Sequence, residues 1–316
     1  MNSVKVGIVG VGYLGRFHAE KYAVHPNVSL IGVVDADHDR CEAVAKNLNT
    51  RAFEDPADLL GLVDAVSIVV PTALHYVVAK LFLDQGIHVL LEKPITVTLG
   101  QADELIEIAS RKGLILQVGH IERFNPAVTA LKGRISSPQY MTAERAAPFT
   151  TRCTDVNVVL DLMIHDLDIV TGLAGSEPKA LCAGGASVIT REIDIATARI
   201  VFQNGCIADI TASRVSDEKK RILRVFDSEG MYVSDYQTQR ATASRRAIGA
   251  GPGLIVEDIS ADRCDTLNEE IHGFIHSVQS GERPLVSGRE GRRALAIAGM
   301  ITETITVGVT DFIPIK

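Results

Sequence analysis

No two cysteines stand at C-x-x-C spacing. The five that occur, Cys41, Cys153, Cys182, Cys206 and Cys264, are odd in number and scattered. Such a set fits reduced thiols in a cytosolic protein and builds neither a disulfide framework nor a structural zinc site. Basic charge is not in excess: 32 Lys and Arg against 39 Asp and Glu give a net charge of −7, the wrong sign for a general nucleic-acid binder. An anionic small molecule is still compatible, because local arginines can oppose the global sign. No apolar run is long enough to span a bilayer, and a first strand beginning by Val4 leaves no room for a signal peptide. The expected protein is cytoplasmic, with neither a nucleic-acid nor a membrane partner. Repeats and low-complexity linkers are also lacking. What is there, 316 residues at 46% hydrophobic and 22% charged content, suits about two ordinary globular domains with an ample core.

The first informative stretch runs from Val4 to Glu20. Val4 to Val9 is an almost wholly apolar run, suited to a parallel strand buried on both faces. Gly10, Gly12 and Gly15 follow at G-x-G-x-x-G spacing, with Tyr13 and Leu14 between the last two. Gly10 can take the tight turn, Gly12 lets backbone approach a pyrophosphate, and Gly15 lets the next helix lie close on the strand. Glycine-rich turns also close hairpins, so context decides. A second apolar run, Leu30 to Val34, ends in Asp35, about 20 residues past the loop, where an acid can accept from a ribose 2′-hydroxyl. NAD is favoured over NADP, because a carboxylate there repels a 2′-phosphate; Arg40 could soften that preference.

Strand and helix then alternate as a parallel sheet requires. A helical segment covers Asp39 to Leu48, Ala52-Phe53 is a short strand, and Asp55-Pro56 opens a helical piece through Leu62. The next buried strand, Ala65 to Val70, stops at Pro71-Thr72, and a helix runs through Gln85. Ligands lie at the carboxyl ends of such strands, which places Pro71, Thr72 and His75 against the cofactor. The plainer alternative is that Pro71 ends a strand and His75 caps a helix. His88 to Leu91 is a further strand, ending in Glu92-Lys93-Pro94, where titratable groups come beside the expected nicotinamide position. A solvated Lys–Glu turn would look the same. Thr98 to Gln101 matches a capping box, with Ala102, Leu105, Ile106 and Ala109 on one apolar face behind it, and Leu114 to Val118 is another strand.

The rhythm changes after Gly119. His120-Ile-Glu-Arg123-Phe-Asn125-Pro-Ala127 connects to a β-rich region with strands at Gln139 to Arg145, Ala180 to Val188, Ala196 to Phe202, Cys206 to Arg214, Arg221 to Asp227 and Met231 to Tyr236. Asn204-Gly205 and Glu229-Gly230 read as hairpin turns. Gly249 to Gly253 reads as a flexible loop. One helical segment, Asn157 to Leu173, interrupts the strands. In it Asp161 and His165 stand four apart and share a helix face, so the carboxylate can orient the imidazole for proton transfer; Asp168 falls on nearly the same face. No second His or Cys lies at ligand spacing, so no metal is expected. Arg152-Cys153-Thr154 is similar to the Cys-Thr pair of phosphorylating aldehyde dehydrogenases, but Val156 stands where their Asn would, and Cys153 reads as an ordinary thiol. Two helices, Leu267 to Gln279 and Arg289 to Val307, close the chain.

With Gly10-x-Gly12-x-x-Gly15, Glu92-Lys93-Pro94 and Asp161-x-x-x-His165 in that order, the chain resembles the glucose–fructose oxidoreductase, inositol dehydrogenase and MocA (Gfo/Idh/MocA) family. The likeness runs nearly end to end and includes Pro284-Leu-Val-Ser-Gly-Arg289-Glu-Gly-Arg-Arg-Ala294. It implies an α/β fold: an NAD-binding Rossmann domain with a doubly wound parallel sheet over residues 1–120, then an α+β domain with a large, mostly antiparallel open sheet over 121–316. The second domain would bind substrate and form a homo-oligomer, dimer or tetramer, with the last helices packed back on the first. The implied reaction moves a hydride between a sugar or polyol hydroxyl carbon and nicotinamide. By position, Lys93 would contact the reacting hydroxyl and the nicotinamide ribose, and Asp161 and His165 would complete the catalytic set, with Lys93 or His165 as base. Met163 stands where many members have Gly. The cofactor contacts implied are Gly10, Gly12, Tyr13, Leu14, Gly15, Asp35, Pro71, Thr72, His75, Glu92 and Lys93.

The segments around His120 and Asp161 are similar to the branch acting on UDP-N-acetylated hexoses, the UDP-N-acetylglucosamine 3-dehydrogenases. That branch prepares a 3-keto sugar for an aminotransferase, and the 3-amino sugars serve lipid A or O-antigen assembly. His120, Arg123 and Asn125 would then touch substrate beside Lys93, Asp161 and His165. Arg123, Arg145, Arg152 and Arg214 are candidates for a diphosphate or uronate, which arginine's planar fork suits. A dehydrogenase of a free polyol or sugar, and a non-catalytic dinucleotide- or sugar-sensing regulator on the same fold, are the alternatives.

Overall fold

In the computed structural model, which describes residues 3–150, 156–247 and 253–315, the alternating apolar and helical runs become a parallel sheet. Its elements are β1 (Val4–Val9), α1 (Tyr13–Val24), β2 (Val28–Val34), α2 (His38–Asn47), β3 (Arg51–Phe53), β4 (Ala65–Ile68), α3 (Thr72–Asp84), β5 (His88–Glu92), α4 (Leu99–Lys112) and β6 (Leu116–Gly119). The six strands lie in the order β3-β2-β1-β4-β5-β6, all parallel. Val6, Ile8, Val66 and Leu91 are completely buried, as strands covered on both faces require. The strand order reverses between β1 and β4, the crevice where doubly wound sheets hold ligands. The expected Rossmann architecture is present.

Local differences have local causes. The piece after Asp55 is a single 3₁₀ turn, Pro56–Leu59, with an Asp55–Asp58 capping box. It does not reach Leu62, because Gly61 takes a left-handed φ of 74°, a conformation that ends helices at little cost only for glycine. The Thr98–Gln101 capping box forms at the start of α4.

The second sheet begins after a short helix, α5 (Pro126–Thr129). It comprises β7 (Tyr140–Ala146), β8 (Pro178–Ala186), β9 (Ile195–Phe202), β10 (Ile207–Ser213), β11 (Lys220–Phe226), β12 (Met231–Asp235), β13 (Arg240–Arg246), β14 (Leu254–Asp258) and β15 (Ile313–Pro314). Their order is β14-β13-β12-β11-β7-β10-β9-β8-β15. Every pair is antiparallel except β7 with β10. Asn204-Gly205 makes the predicted tight turn, with Gly205 at φ 89°. One face carries α6 (Ile164–Ala174): Ile164, Leu167 and Val170 pack with Met141, Ala143, Ile210 and Leu223 in one apolar cluster. β13 and β14 extend the sheet beyond the predicted strands, and most of the Gly249–Gly253 stretch between them lies outside the described residues.

Two helices complete the chain, α7 (Thr266–Ser280) and α8 (Gly288–Val307). The chain divides into two compact units, Met1–Ile121 with Asp265–Arg293 and Glu122–Cys264 with Ala294–Lys316. α7 thus belongs to the first unit, where Leu267, Ile271, Phe274 and Ile275 enter the core beside Val6, Ile8 and Tyr22.

Candidate functional site

The glycine loop shows which of its glycines the protein itself demands. Gly10 has φ 90°, and a β-carbon there would strike the Val69 carbonyl; one at Gly15 would strike the Gly10 carbonyl. Gly10 is fixed by the backbone that follows β4, and Gly15 by the close seating of α1 on the Gly10 turn. A β-carbon at Gly12 would meet nothing within 4 Å, so the fold itself leaves this position open and its backbone accessible to close approach by a pyrophosphate. The helix ends point the same way. Among the described residues no side chain caps α1 or α3, whereas Asp37, Thr98 and Asp265 cap α2, α4 and α7. These N-termini of α1 and α3 follow β1 and β4, the strands at the order reversal. The N–H groups of a first helical turn and the helix dipole together favour an anion there. Tyr13 and Leu14 stand exposed in the first turn of α1. This cradle fits a dinucleotide pyrophosphate.

Asp35 ends β2 as predicted. Its Oδ2 accepts from Val11 N at 2.7 Å and its Oδ1 from Asp37 N at 2.9 Å and Arg40 Nη2 at 2.6 Å. Burial alone would raise the carboxyl, but the Arg40 hydrogen bond and the two backbone donors hold it below the usual range. Pro71 precedes α3 and Thr72 opens it. His75 is buried, with Nδ1 2.8 Å from the Pro94 carbonyl and Nε2 2.9 Å from that of Val70. Both ring nitrogens are thus engaged within the protein, so His75 braces the loop after β5. Burial pulls its pKa down in spite of the two carbonyls.

Glu92 ends β5 and Lys93 opens that loop, with a cis peptide bond between Lys93 and Pro94. Glu92 Oε2 accepts from Lys93 N at 3.2 Å, and Oε1 lies 3.3 Å from Nε2 of His18 in α1. Burial raises the Glu92 carboxyl, but His18 and the Lys93 charge outweigh it and leave it lowered. His120, one residue past β6, is also buried. His18 escaped the sequence reading. Its only signal is its place on α1 one turn after Gly15, facing the sheet.

In the second unit the helix bearing Asp161 and His165 is not regular. Asn157 Oδ1 accepts from Leu160 N, Val159–Met163 form a π-helical turn, and α6 follows from Ile164. A π-turn widens the helix, and such bulges gather at functional sites. Asp161 and His165 are half-buried, while Asp166 and Asp168 are fully buried. The helix therefore separates two sets of charges, one open and one internal.

The internal set corrects several expectations. Asp168 lies inside the unit, its Oδ2 paired with Arg123 Nε at 2.8 Å and its side chain 1% exposed. Arg145 is no anion ligand: it is buried, with Nε 2.7 Å and Nη2 3.2 Å from the Asp166 carboxylate and Nη1 3.0 Å from Glu122 Oε1. Glu122 takes a second arginine, Arg221, at 3.3 Å. Burial raises the Asp166 carboxyl, even against the pull of Arg145. Asn125 is tied by Nδ2 to Glu122 and to the Tyr236 carbonyl, both at 3.0 Å, and caps Ala127 N through Oδ1. Arg214 is buried too and donates to the Val156 carbonyl at 2.6 Å. Arg152 and Cys153 lie outside the described residues. Glu122, Asp166 and Tyr236 were missed because nothing local marks them; their partners are distant in sequence.

Two family descriptions match the chain: an oxidoreductase family with an NAD-binding Rossmann fold over residues 4–120, and a GFO/IDH/MocA C-terminal domain over 128–233. UDP-N-acetylglucosamine 3-dehydrogenase of Acidithiobacillus ferrooxidans is 40% identical over 94% of this chain and 96% of its own. A solved structure of that enzyme superposes with a TM-score of 0.92, covering 97% of this chain and 99% of the other at 38% identity. Myo-inositol 2-dehydrogenase of Thermotoga maritima is 29% identical over 93% of this chain and 94% of its own. A Lactobacillus casei scyllo-inositol dehydrogenase with bound NAD(H) and scyllo-inositol shares the fold at a TM-score of 0.82 and 20% identity, covering 99% of each chain. Among the described residues no helix is long and apolar enough to cross a membrane.

Proposed function

The chain belongs to the Gfo/Idh/MocA oxidoreductase family, and from that premise we propose that it oxidises the 3-hydroxyl of a UDP-N-acetylhexosamine with NAD. The end-to-end likeness to a UDP-N-acetylglucosamine 3-dehydrogenase carries this reading. NAD would lie along the glycine loop, its pyrophosphate against Gly12 and the first turn of α1, its adenosine ribose at Asp35 and its nicotinamide near Glu92 and Lys93. Tyr13, Leu14, Pro71 and Thr72 border it, and His75 holds the Lys93 loop in shape. When bound, the nicotinamide supplies the hydride acceptor.

Lys93, Asp161 and His165 form the acid–base set in this reading. A carboxylate beside an imidazole fixes its orientation and stabilises its cation, so His165 with Asp161 can take the hydroxyl proton. Lys93 hydrogen-bonds the same oxygen as negative charge develops. Lys93 and His165 could also exchange these roles. His120 and Arg123 border the sugar, Arg123 held by Asp168, while Asn125, tied to Glu122 and Tyr236, shapes the segment that presents them. The product is a 3-keto sugar suited to an aminotransferase. The open face of the large sheet pairs with a second copy of the chain.

One observation favours a second substrate class. With Arg145 and Arg214 buried and engaged, two of the four arginines considered for a diphosphate are withdrawn, which suits a free polyol of the inositol type. Following NADH absorbance with NAD and a panel of UDP-linked and free sugars separates the two. Turnover of UDP-N-acetylglucosamine supports the first reading, turnover of inositols alone replaces it with the second, and cofactor binding without turnover of any sugar points to a sensor.

A further inference from the structure

Three ionisable side chains from distant parts of the first unit meet at the buried end of the Glu92–Lys93 turn. They are His18 of α1, Glu92 of β5 and Glu270 of α7, and one ring nitrogen and one oxygen of each carboxyl lie within 4.8 Å of one another. His18 and Glu270 are completely buried. His18 is held from behind, with Nδ1 2.9 Å from Ser67 Oγ. Glu270 is fixed by its backbone, whose carbonyl accepts from Gln117 Nε2 at 3.1 Å. Neither Glu270 carboxyl oxygen has a hydrogen-bond partner among the described residues. Two carboxyl groups in one dry space do not both ionise. Glu92 has the stronger claim on the charge, with the Lys93 backbone N–H, the Lys93 ammonium and His18 all favouring its carboxylate.

We propose that Glu270 carries a proton at neutral pH and, acting through Glu92, is a positioning residue for Lys93, so that one carboxylate and not two faces the ammonium. The neutral acid adds no second negative charge beside the Glu92–His18 pair and so leaves the Glu92 carboxylate in the place where it holds the turn. Burial and the Glu92 charge both push Glu270 in this direction. Other groups of the first unit around the turn do not supply the missing charge. His75 of α3 is pulled toward its neutral form by burial, Tyr22 of α1 stays a phenol in the core, and Gln117 of β6 is uncharged.

The role assigned to Lys93 is that of the proposed dehydrogenase, but the first test does not depend on it. Infrared spectroscopy at neutral pH is expected to show the carbonyl band of a protonated carboxylic acid that Glu270→Gln removes. The second test is the kcat/KM profile against pH. Glu92→Gln removes the carboxylate beside the Lys93 turn and moves the basic limb of the profile to lower pH. Glu270→Gln, an amide in place of a neutral acid, leaves that limb where it is. Glu270→Ala lowers kcat more than about tenfold, and the Gln variant restores it to within a few-fold. Three results would overturn the proposal: no protonated-carboxyl band, a limb that moves as far in Glu270→Gln as in Glu92→Gln, or one equivalent of divalent metal in the purified protein that Glu270→Gln loses. If no sugar is turned over, the infrared result still decides the protonation of Glu270.

Discussion

Arg40 places its Nη2 2.6 Å from Oδ1 of Asp35, so the acid that ends β2 is already neutralised within the chain. Asp35 is 7% exposed in its side chain and Arg40 45%. A 2′-hydroxyl would meet the carboxylate, and a 2′-phosphate would meet the guanidinium. The pair thus tempers the preference for NAD that a bare carboxylate would impose. Arg40→Ala is expected to lower kcat/KM with NADP by about tenfold, while the value with NAD changes about twofold or less. Parallel initial-rate measurements with the two cofactors check this. Equal losses with both would show that Arg40 only steadies the loop.

Gly12 and Gly15 should fail in different ways. A methyl at Gly12 finds open space, whereas one at Gly15 runs into the Gly10 carbonyl. Gly12→Ala should unfold at nearly the same temperature as the parent without cofactor and bind NAD at least about tenfold more weakly. Gly15→Ala should lose about 2–4 kcal/mol of stability through displaced backbone. Thermal unfolding with and without NAD separates the cases, and a large loss of apo stability in Gly12→Ala would contradict this account.

The first sheet was legible because buried parallel strands are continuous apolar runs and the glycine spacing fixes where β1 hands over to α1. The second was legible only in part. β14 is exposed along its whole length and offers no alternation to read. The π-turn at Val159–Met163 has the composition of an ordinary helix, and packing decides its winding. Arg145 and Asp166 are 21 residues apart and Arg123 and Asp168 are 45 apart, so chain order does not reveal that each arginine already has a carboxylate. His18, Glu92 and Glu270 come together only when three separate segments pack.

The buried ion cluster of the second unit makes a prediction with a definite sign. Arg145 holds Glu122 and Asp166 in a space where neither is hydrated. Removing it leaves Asp166 without its arginine and Glu122 with Arg221 alone, so Arg145→Met should cost about 3–5 kcal/mol near neutral pH. The deficit should depend on pH. Asp166 is already raised by burial, and losing Arg145 raises it further. A group whose folded-state pKa is raised adds stability below its unfolded value and loses it as pH rises through the folded one. The gap between variant and parent should therefore narrow as pH falls through the carboxylate range. Urea unfolding at several pH values measures it, and a gap that widens on acidification would show that the cluster is not held by charge.

Lys93 and His165 stand in different units, and each is supported by its own neighbours. Lys93 rests on Glu92, His18 and the His75 brace; His165 follows a π-turn that carries Asp161. Each can therefore be removed without dismantling the other's support, and neither belongs to the glycine cradle. Lys93→Ala and His165→Ala should each lower kcat by about 10²–10⁴-fold, the range for loss of a positioned acid or base. Binding of NAD, followed by fluorescence or calorimetry, should survive in both. Asp161→Asn keeps the hydrogen-bonding shape but removes the charge that stabilises the imidazolium. It should therefore show a smaller loss than His165→Ala, with the histidine-linked limb of its pH profile moved to lower pH. If His165→Ala turns over sugar at near the parent rate, the base is Lys93 or another group, and Asp161 loses its part in the chemistry with it.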